Sequence, residues 1–143
     1  VFLVFTLVLA GSLGPNIVQG TPAAATASGA QDRWQPWSSQ RVAELKAEGR
    51  PVFVDFTAAW CVTCQYNKKT TLADAEVLAQ SQAKNVALLR ADWTRRDQAI
   101  TAALTALGRS GVPVYVLHAP GKPPVVLSEI LRKDELGAAL SGL

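Results

Sequence analysis

The stretch "PVFVDFT", residues 51–57, constrains the fold more than any other part of this chain. It is β-branched and aromatic, which reads as a strand. Helical patterns flank it on both sides. In "WSSQRVAELKAEG", Ser38 or Ser39 serves as an N-cap, Val42 and Leu45 share a face, and Gly49 follows the end. After the strand, helix is expected from Cys61 to Lys69, then again from Asp74, an N-cap candidate, to Gln82. "VALLRA", 86–91, reads as a second buried strand. Asp97 caps a helix in which Ile100, Leu104 and Leu107 recur at helical spacing before Gly108. "PVYVLH", 113–118, is a third strand, "APGKP" a turn, and "PVVLSEI", 124–130, a fourth strand. A connection that short makes the last two antiparallel. Asp134 is expected to cap a closing helix whose face is Leu136, Ala139, Leu140 and Leu143. Strands alternating with helices imply parallel pairing with right-handed crossovers. The expected architecture is α/β, a mixed sheet with helices on both faces.

Residues 32–143 hold this pattern, and the segment before them is different. Residues 1–13, "VFLVFTLVLAGSL", carry no charge. A helix of that length spans roughly 20 Å, short of the ~30 Å hydrocarbon core of a bilayer. The segment reads as the end of a transmembrane helix, with a signal-peptide apolar region or a buried helix as the alternatives. Residues 14–31, rich in Gly, Pro, Ala, Thr and Ser, read as a flexible linker. The first basic residue is Arg33. Cytoplasmic flanks of membrane helices carry Lys and Arg, so the domain is expected on the outer side of the membrane, where disulfides form. The net charge of +3 is spread along the chain, with no basic stripe interleaved with aromatics. A nucleic-acid surface is not indicated.

Cys61 and Cys64 are the only cysteines, two residues apart at the end of the first strand. Open α/β sheets place their sites at the carboxyl ends of strands. The first N–H groups of a helix are unpaired and carry the positive end of its dipole, which favours a thiolate there. Cys61 would be the exposed thiol at the helix start, with Cys64 one turn on and turned inward. Three readings compete: a metal clip, an inert bridge and a redox pair. Structural zinc takes four ligands, and beyond the pair the chain offers only His118, beside a turn. As a purely structural bridge, so small a loop would stabilise little. Asp55 favours redox chemistry, because a carboxylate inside a doubly covered strand is costly to bury. Its pKa would be raised, so it could trade a proton with Cys64; the alternative is an Asp55 that faces solvent at the edge of the sheet. Pro113 opens the third strand.

"VFVDFTAAWCVTC", followed about fifty residues later by "GVP", resembles the thioredoxin superfamily. The likeness covers about residues 34–143. "DFTAAWCVTC" with "TTLADAEV" is similar, more narrowly, to the C-terminal periplasmic domain of the DsbD family of transmembrane thiol:disulfide interchange proteins. That resemblance implies a thioredoxin-like fold and a protein-disulfide reductase that needs no cofactor and no metal. Cys61 would be the nucleophile and Cys64 the resolving thiol. Asp55 would tune the pair, Trp60 would pack beside it, and a cis Pro113 would leave the Val112 backbone facing a partner peptide. Implied partners are the transmembrane and N-terminal domains of the same protein, a disulfide isomerase and cytochrome c maturation proteins. The implied location is periplasmic, on an inner-membrane protein. Where the family often carries an acid one turn beyond the second cysteine, this chain has Lys68. Two alternatives stand beside this reading: a membrane-tethered thioredoxin-like reductase for cytochrome c maturation, and a redox-inactive binding module.

Overall fold

Every residue of β2, Val52–Thr57, is buried, so this strand lies inside the sheet rather than at its edge. The computed structural model describes residues 33–143. The expectations for 1–13 and 14–31 lie outside the described residues. Five strands pair in the order β1-β3-β2-β4-β5, with β1 at Trp34–Pro36, β3 at Ala87–Asp92, β4 at Val114–His118 and β5 at Val125–Val126. The helices are α1 (Ser39–Ala47), α2 (Val62–Lys69), α3 (Ala75–Ala83), α4 (Gln98–Ala106) and α5 (Lys133–Ser141), with a 3₁₀ turn at Thr71–Ala73.

Local chemistry sets most boundaries. Ser38, Asp74 and Asp97 accept the N–H of Arg41, Val77 and Ile100 and so start α1, α3 and α4. Gly49 and Gly108 follow α1 and α4 at φ +80° and +75°, a conformation glycine adopts without strain. Side chains alternating along β2 then supply two cores. Val52, Val54 and Phe56 pack with Leu45 of α1 and with Ile100 and Leu104 of α4. On the opposite face Phe53 packs with Val77 of α3, Leu136 and Leu140 of α5, and Tyr115 of β4.

The structure departs from the sequence reading in four places. β1 was not expected; it pairs in parallel with β3, Trp34 opposite Leu88. β4 is antiparallel to β2, so α4 does not complete a parallel crossover. Asp92 at the end of β3 lies beside Thr57, and Val114 at the start of β4 lies beside Phe56. The chain thus leaves and re-enters the sheet at the same end, which forces the reversal. The fourth strand is only two residues long instead of spanning 124–130. Just beyond it, the N–H and hydroxyl of Ser128 both donate to Glu135 of α5 and draw the chain away from β4. Finally, Arg132 rather than Asp134 is the N-cap of α5 and makes no side-chain cap bond. Asp134 sits in the first turn, paired with Arg132.

Asn67 of α2 ties the site helix to the segment before α5. It is fully buried, its Nδ2 donates to Tyr115 Oη and to the carbonyl of Glu129, both at 2.8 Å, and its Oδ1 accepts the Leu131 N–H at 3.2 Å. Asn67→Leu would strand these partners in the core. It is expected to cost about 2–4 kcal/mol, read as a drop in the urea midpoint with an unchanged m-value. A loss under about 0.5 kcal/mol would show that the network does not hold the segment.

Candidate active site

Cys61 is the N-cap of α2, and Cys64, one turn on, is joined to it by a disulfide with a Cα–Cα distance of 5.2 Å. The Cys64 N–H donates to Cys61 Sγ at 3.1 Å. A helix-end N–H that bonds a sulfur favours negative charge on it once the disulfide opens. Cys61 is less open than expected: 7% exposed in the disulfide, against 0% for Cys64. Ala58, Cys64 and Val112 pack around it. Cys61 is still the more accessible of the pair. The open surface comes from its neighbours, Trp60 at 48% and Val62 at 83%.

Three chain segments meet here. The Val112–Pro113 peptide at the head of β4 is cis, the geometry the resemblance implied, and Val112 touches the cysteine cluster. The loop after β3 fixes Trp60. Thr94 accepts the Trp60 indole N–H through its carbonyl at 3.1 Å and the Ala59 N–H through its hydroxyl at 2.8 Å. Asp92 in turn accepts the N–H and hydroxyl of Thr94.

Beneath α2 a polar row crosses the sheet. Asp55 lies opposite Arg90 of β3 and Tyr115 of β4. Its side chain is fully buried, and Oδ2 accepts from Arg90 Nε at 3.0 Å. Oδ1 has no hydrogen-bond partner among the described residues. Burial holds the Asp55 carboxyl above its ordinary range, and the Arg90 guanidinium pulls the other way. Tyr115 is pushed up by burial and then by the nearby Asp55 charge. Lys68 is lowered by burial and by Arg90, and Asp55 and Asp92 offset part of that. Lys68 is itself half-buried.

His118 ends β4 opposite Val52, within the expected strand, and is half-buried. Burial lowers its pKa, and Lys46 adds to the effect. Among the described residues no cluster of His, Cys, Asp or Glu has the makings of a metal site. The described residues likewise contain no helix long and apolar enough to cross a membrane.

Sequence reasoning brought Cys61, Cys64, Asp55, Trp60, Val112 and Pro113 to this end of the sheet. It missed Arg90, Asn67 and Thr94. Arg90 left a readable signal, a lone cation inside the apolar run 86–91 to match the lone acid inside 51–57. Asn67 and Thr94 left none, because their roles depend on long-range partners.

Residues 33–120 match the family model described as thioredoxin-like. Among curated proteins, the chain is 37% identical over 82 residues to the thiol:disulfide interchange protein DsbD of Yersinia enterocolitica, a match covering 57% of this chain and 14% of that protein. The DsbD of Escherichia coli is 37% identical over 72 residues, 50% of this chain and 12% of that protein. The chain thus spans only a small part of the length of these relatives. In fold it is similar to the oxidised C-terminal domain of Neisseria meningitidis DsbD (TM-score 0.61, 20% identity, 76% of this chain and 98% of that one). A thioredoxin from Thermus thermophilus is similar too (TM-score 0.60, 24% identity, 77% and 85%). With a cysteine pair at disulfide distance on a mixed sheet covered on both faces, and homology to DsbD proteins, this chain belongs to the thioredoxin-like family.

Proposed function

We propose that the domain is a thiol–disulfide reductase that passes electrons to extracytoplasmic proteins. The observation that carries this reading is the cysteine pair at a helix start, with Cys64 sealed and Cys61 beside an exposed rim. In the reduced state the Cys61 thiolate attacks one sulfur of a partner disulfide. That S–S bond breaks, a partner thiolate leaves, and a mixed disulfide forms on Cys61. Cys64 then gives its proton toward Asp55 and attacks the Cys61 sulfur, releasing the second partner thiolate. Two electrons have moved to the partner, both partner sulfurs take up protons, and the domain is left with its own disulfide. Trp60 and the Val112 backbone seat the partner chain beside Cys61.

The homology to DsbD proteins supports a wider setting. In that setting residues 1–13 would be the end of a helix in the inner membrane, residues 14–31 a linker, and residues 32–143 a periplasmic domain. Electrons arrive from a transmembrane domain of the same protein. They leave through its N-terminal domain toward a disulfide isomerase or cytochrome c maturation proteins.

The direction of transfer is open to measurement. Val62 and Thr63 between the cysteines bring no positive charge to the thiolate. Strong oxidants of this fold owe their potential to an over-stabilised thiolate. Equilibration with glutathione buffers is expected to give a potential nearer the roughly −270 mV of thioredoxin than the roughly −120 mV of DsbA. A value at the DsbA end would make the domain an oxidant and overturn the reductase reading.

A further inference from the structure

Arg96 is held in an unusual way at the rim of the site. Its guanidinium carbon lies 4.9 Å from the ring centre of Trp60 and 4.8 Å from that of Trp93, above two indoles that are themselves 5.9 Å apart. Trp93 is buried and hydrogen-bonded through Nε1 to Thr101 of α4. Trp60 is half-exposed and adjoins Cys61. The Arg96 backbone has φ +53°, left-handed for a residue with a Cβ, and its N–H donates to the Trp93 carbonyl at 2.9 Å. Glycine or asparagine would make such a turn with less strain. The residue here instead lays a long cation over the tryptophan beside the nucleophile. Strain of this kind concentrates at functional positions.

Stacking uses the face of a guanidinium and leaves its edge of N–H donors open. Among the described residues the Arg96 side chain makes no hydrogen bond and no ion pair, and it is exposed. The acids on its own loop are engaged elsewhere: Asp92 accepts from Thr94, and Asp97 accepts the Ile100 N–H at 3.1 Å to cap α4. Arg95 beside it is also exposed. What remains is a planar donor fork held by two rings, one of them the tryptophan that precedes Cys61 in the chain. Pre-fixing the fork reduces the side-chain freedom lost on binding.

We propose that Arg96 is a specificity residue: its guanidinium edge takes a carboxylate lying beside the disulfide of the partner, so the domain selects acidic partner segments. The proposal rests on the exchange reading given above. A fork over Trp60 binds a carboxylate with two parallel N–H bonds, which a lysine cannot reproduce. A charge at the rim acts mainly on the rate of encounter and on its salt dependence.

The test uses the whole 143-residue chain, reduced and freed of reductant, against two synthetic disulfide peptides. One carries glutamates beside its disulfide and the other lysines. At low ionic strength the glutamate peptide is expected to be reduced about three- to tenfold faster, the scale of an exposed charge pair with some steering. Raising KCl to about 0.5 M should remove most of that ratio. The general attraction from the net charge of +3 is kept whole in Arg96→Lys and falls by one charge in Arg96→Gln. Arg96→Gln should therefore lose most, not all, of the ratio, and Arg96→Lys should fall between. A ratio unchanged in Arg96→Gln, or insensitive to salt in the unaltered chain, would overturn the proposal and leave the exchange reading standing. The salt arm needs no variant to fold. Failure to reduce either peptide would overturn the exchange reading itself, and this proposal with it.

Discussion

Cys61→Ser is expected to abolish disulfide exchange, lowering the rate by about 10³-fold or more, as removal of a covalent nucleophile does. Cys64→Ser should behave differently. It keeps the attacking thiol and lacks only the group that releases the partner, so a mixed disulfide on Cys61 should accumulate and be visible on a non-reducing gel. The reduced, unaltered protein should react with iodoacetamide first at Cys61. That sulfur sits at the helix start, accepts the Cys64 N–H and is the more accessible, whereas Cys64 is fully buried. Equal labelling of the two thiols at neutral pH, or trapped partner on Cys61→Ser, would reverse the assigned roles.

The next largest effect is expected at Asp55. In the mechanism proposed above, Asp55 takes the proton of Cys64, which would be worth roughly 10²-fold in the resolving step, the lower range for a positioned general base. Asp55→Asn should slow release of the mixed disulfide by that order and flatten its rise with pH. The same substitution should make the protein more stable at neutral pH. Burial raises the folded-state pKa of Asp55. The folded protein therefore keeps a proton that the unfolded chain gives up, and stability falls as pH rises from the unfolded value of about 3.9 to the raised folded value. Above the folded value the loss is complete and constant. The gain from Asp55→Asn should accordingly be near zero at pH 3, grow with pH across that window and then level off. Arg90→Gln removes the cation that opposes the shift, so the resolving step should then need a higher pH. A gain from Asp55→Asn that is the same at pH 3 and pH 8 would mean that the acid titrates alike in both states.

What could be read from the residues, and what could not, divides along physical lines. The strands 52–57 and 114–118 were legible because they are short, β-branched and aromatic runs. Ser38, Asp74 and Asp97 were legible because a cap bond reaches only three residues along the chain. The site was legible for a similar reason, since Cys61, Cys64, Trp60 and Asp55 lie within ten residues of one another. β1 was not legible. It has three residues and ends in a proline, and what defines it is a parallel ladder to residues more than fifty positions away. The reversal of β4 was hidden too, because periodicity reports that a strand exists but not which way it runs. Asp134 looked like a cap by residue type, yet the chain turned into α5 two residues earlier, and Glu135 was already committed to Ser128. Arg90 stood out as a lone cation in an apolar run, and the register that sets it beside Asp55 supplies its partner.

Among the described residues, both flanks of the sheet are short strands. One outer strand has three residues and closes on Pro36, and the other has two. Short outer strands leave few free N–H and C=O groups for a foreign chain to extend. For the exchange proposed above this is an advantage, because short flanks give a partner chain little to pair with. On that proposal a partner meets Trp60, Val62, Arg96 and the backbone at Val112, a small set of contacts on the cysteine side of the sheet. Short flanks thus favour turnover over retention, which suits a carrier of electrons better than a binder.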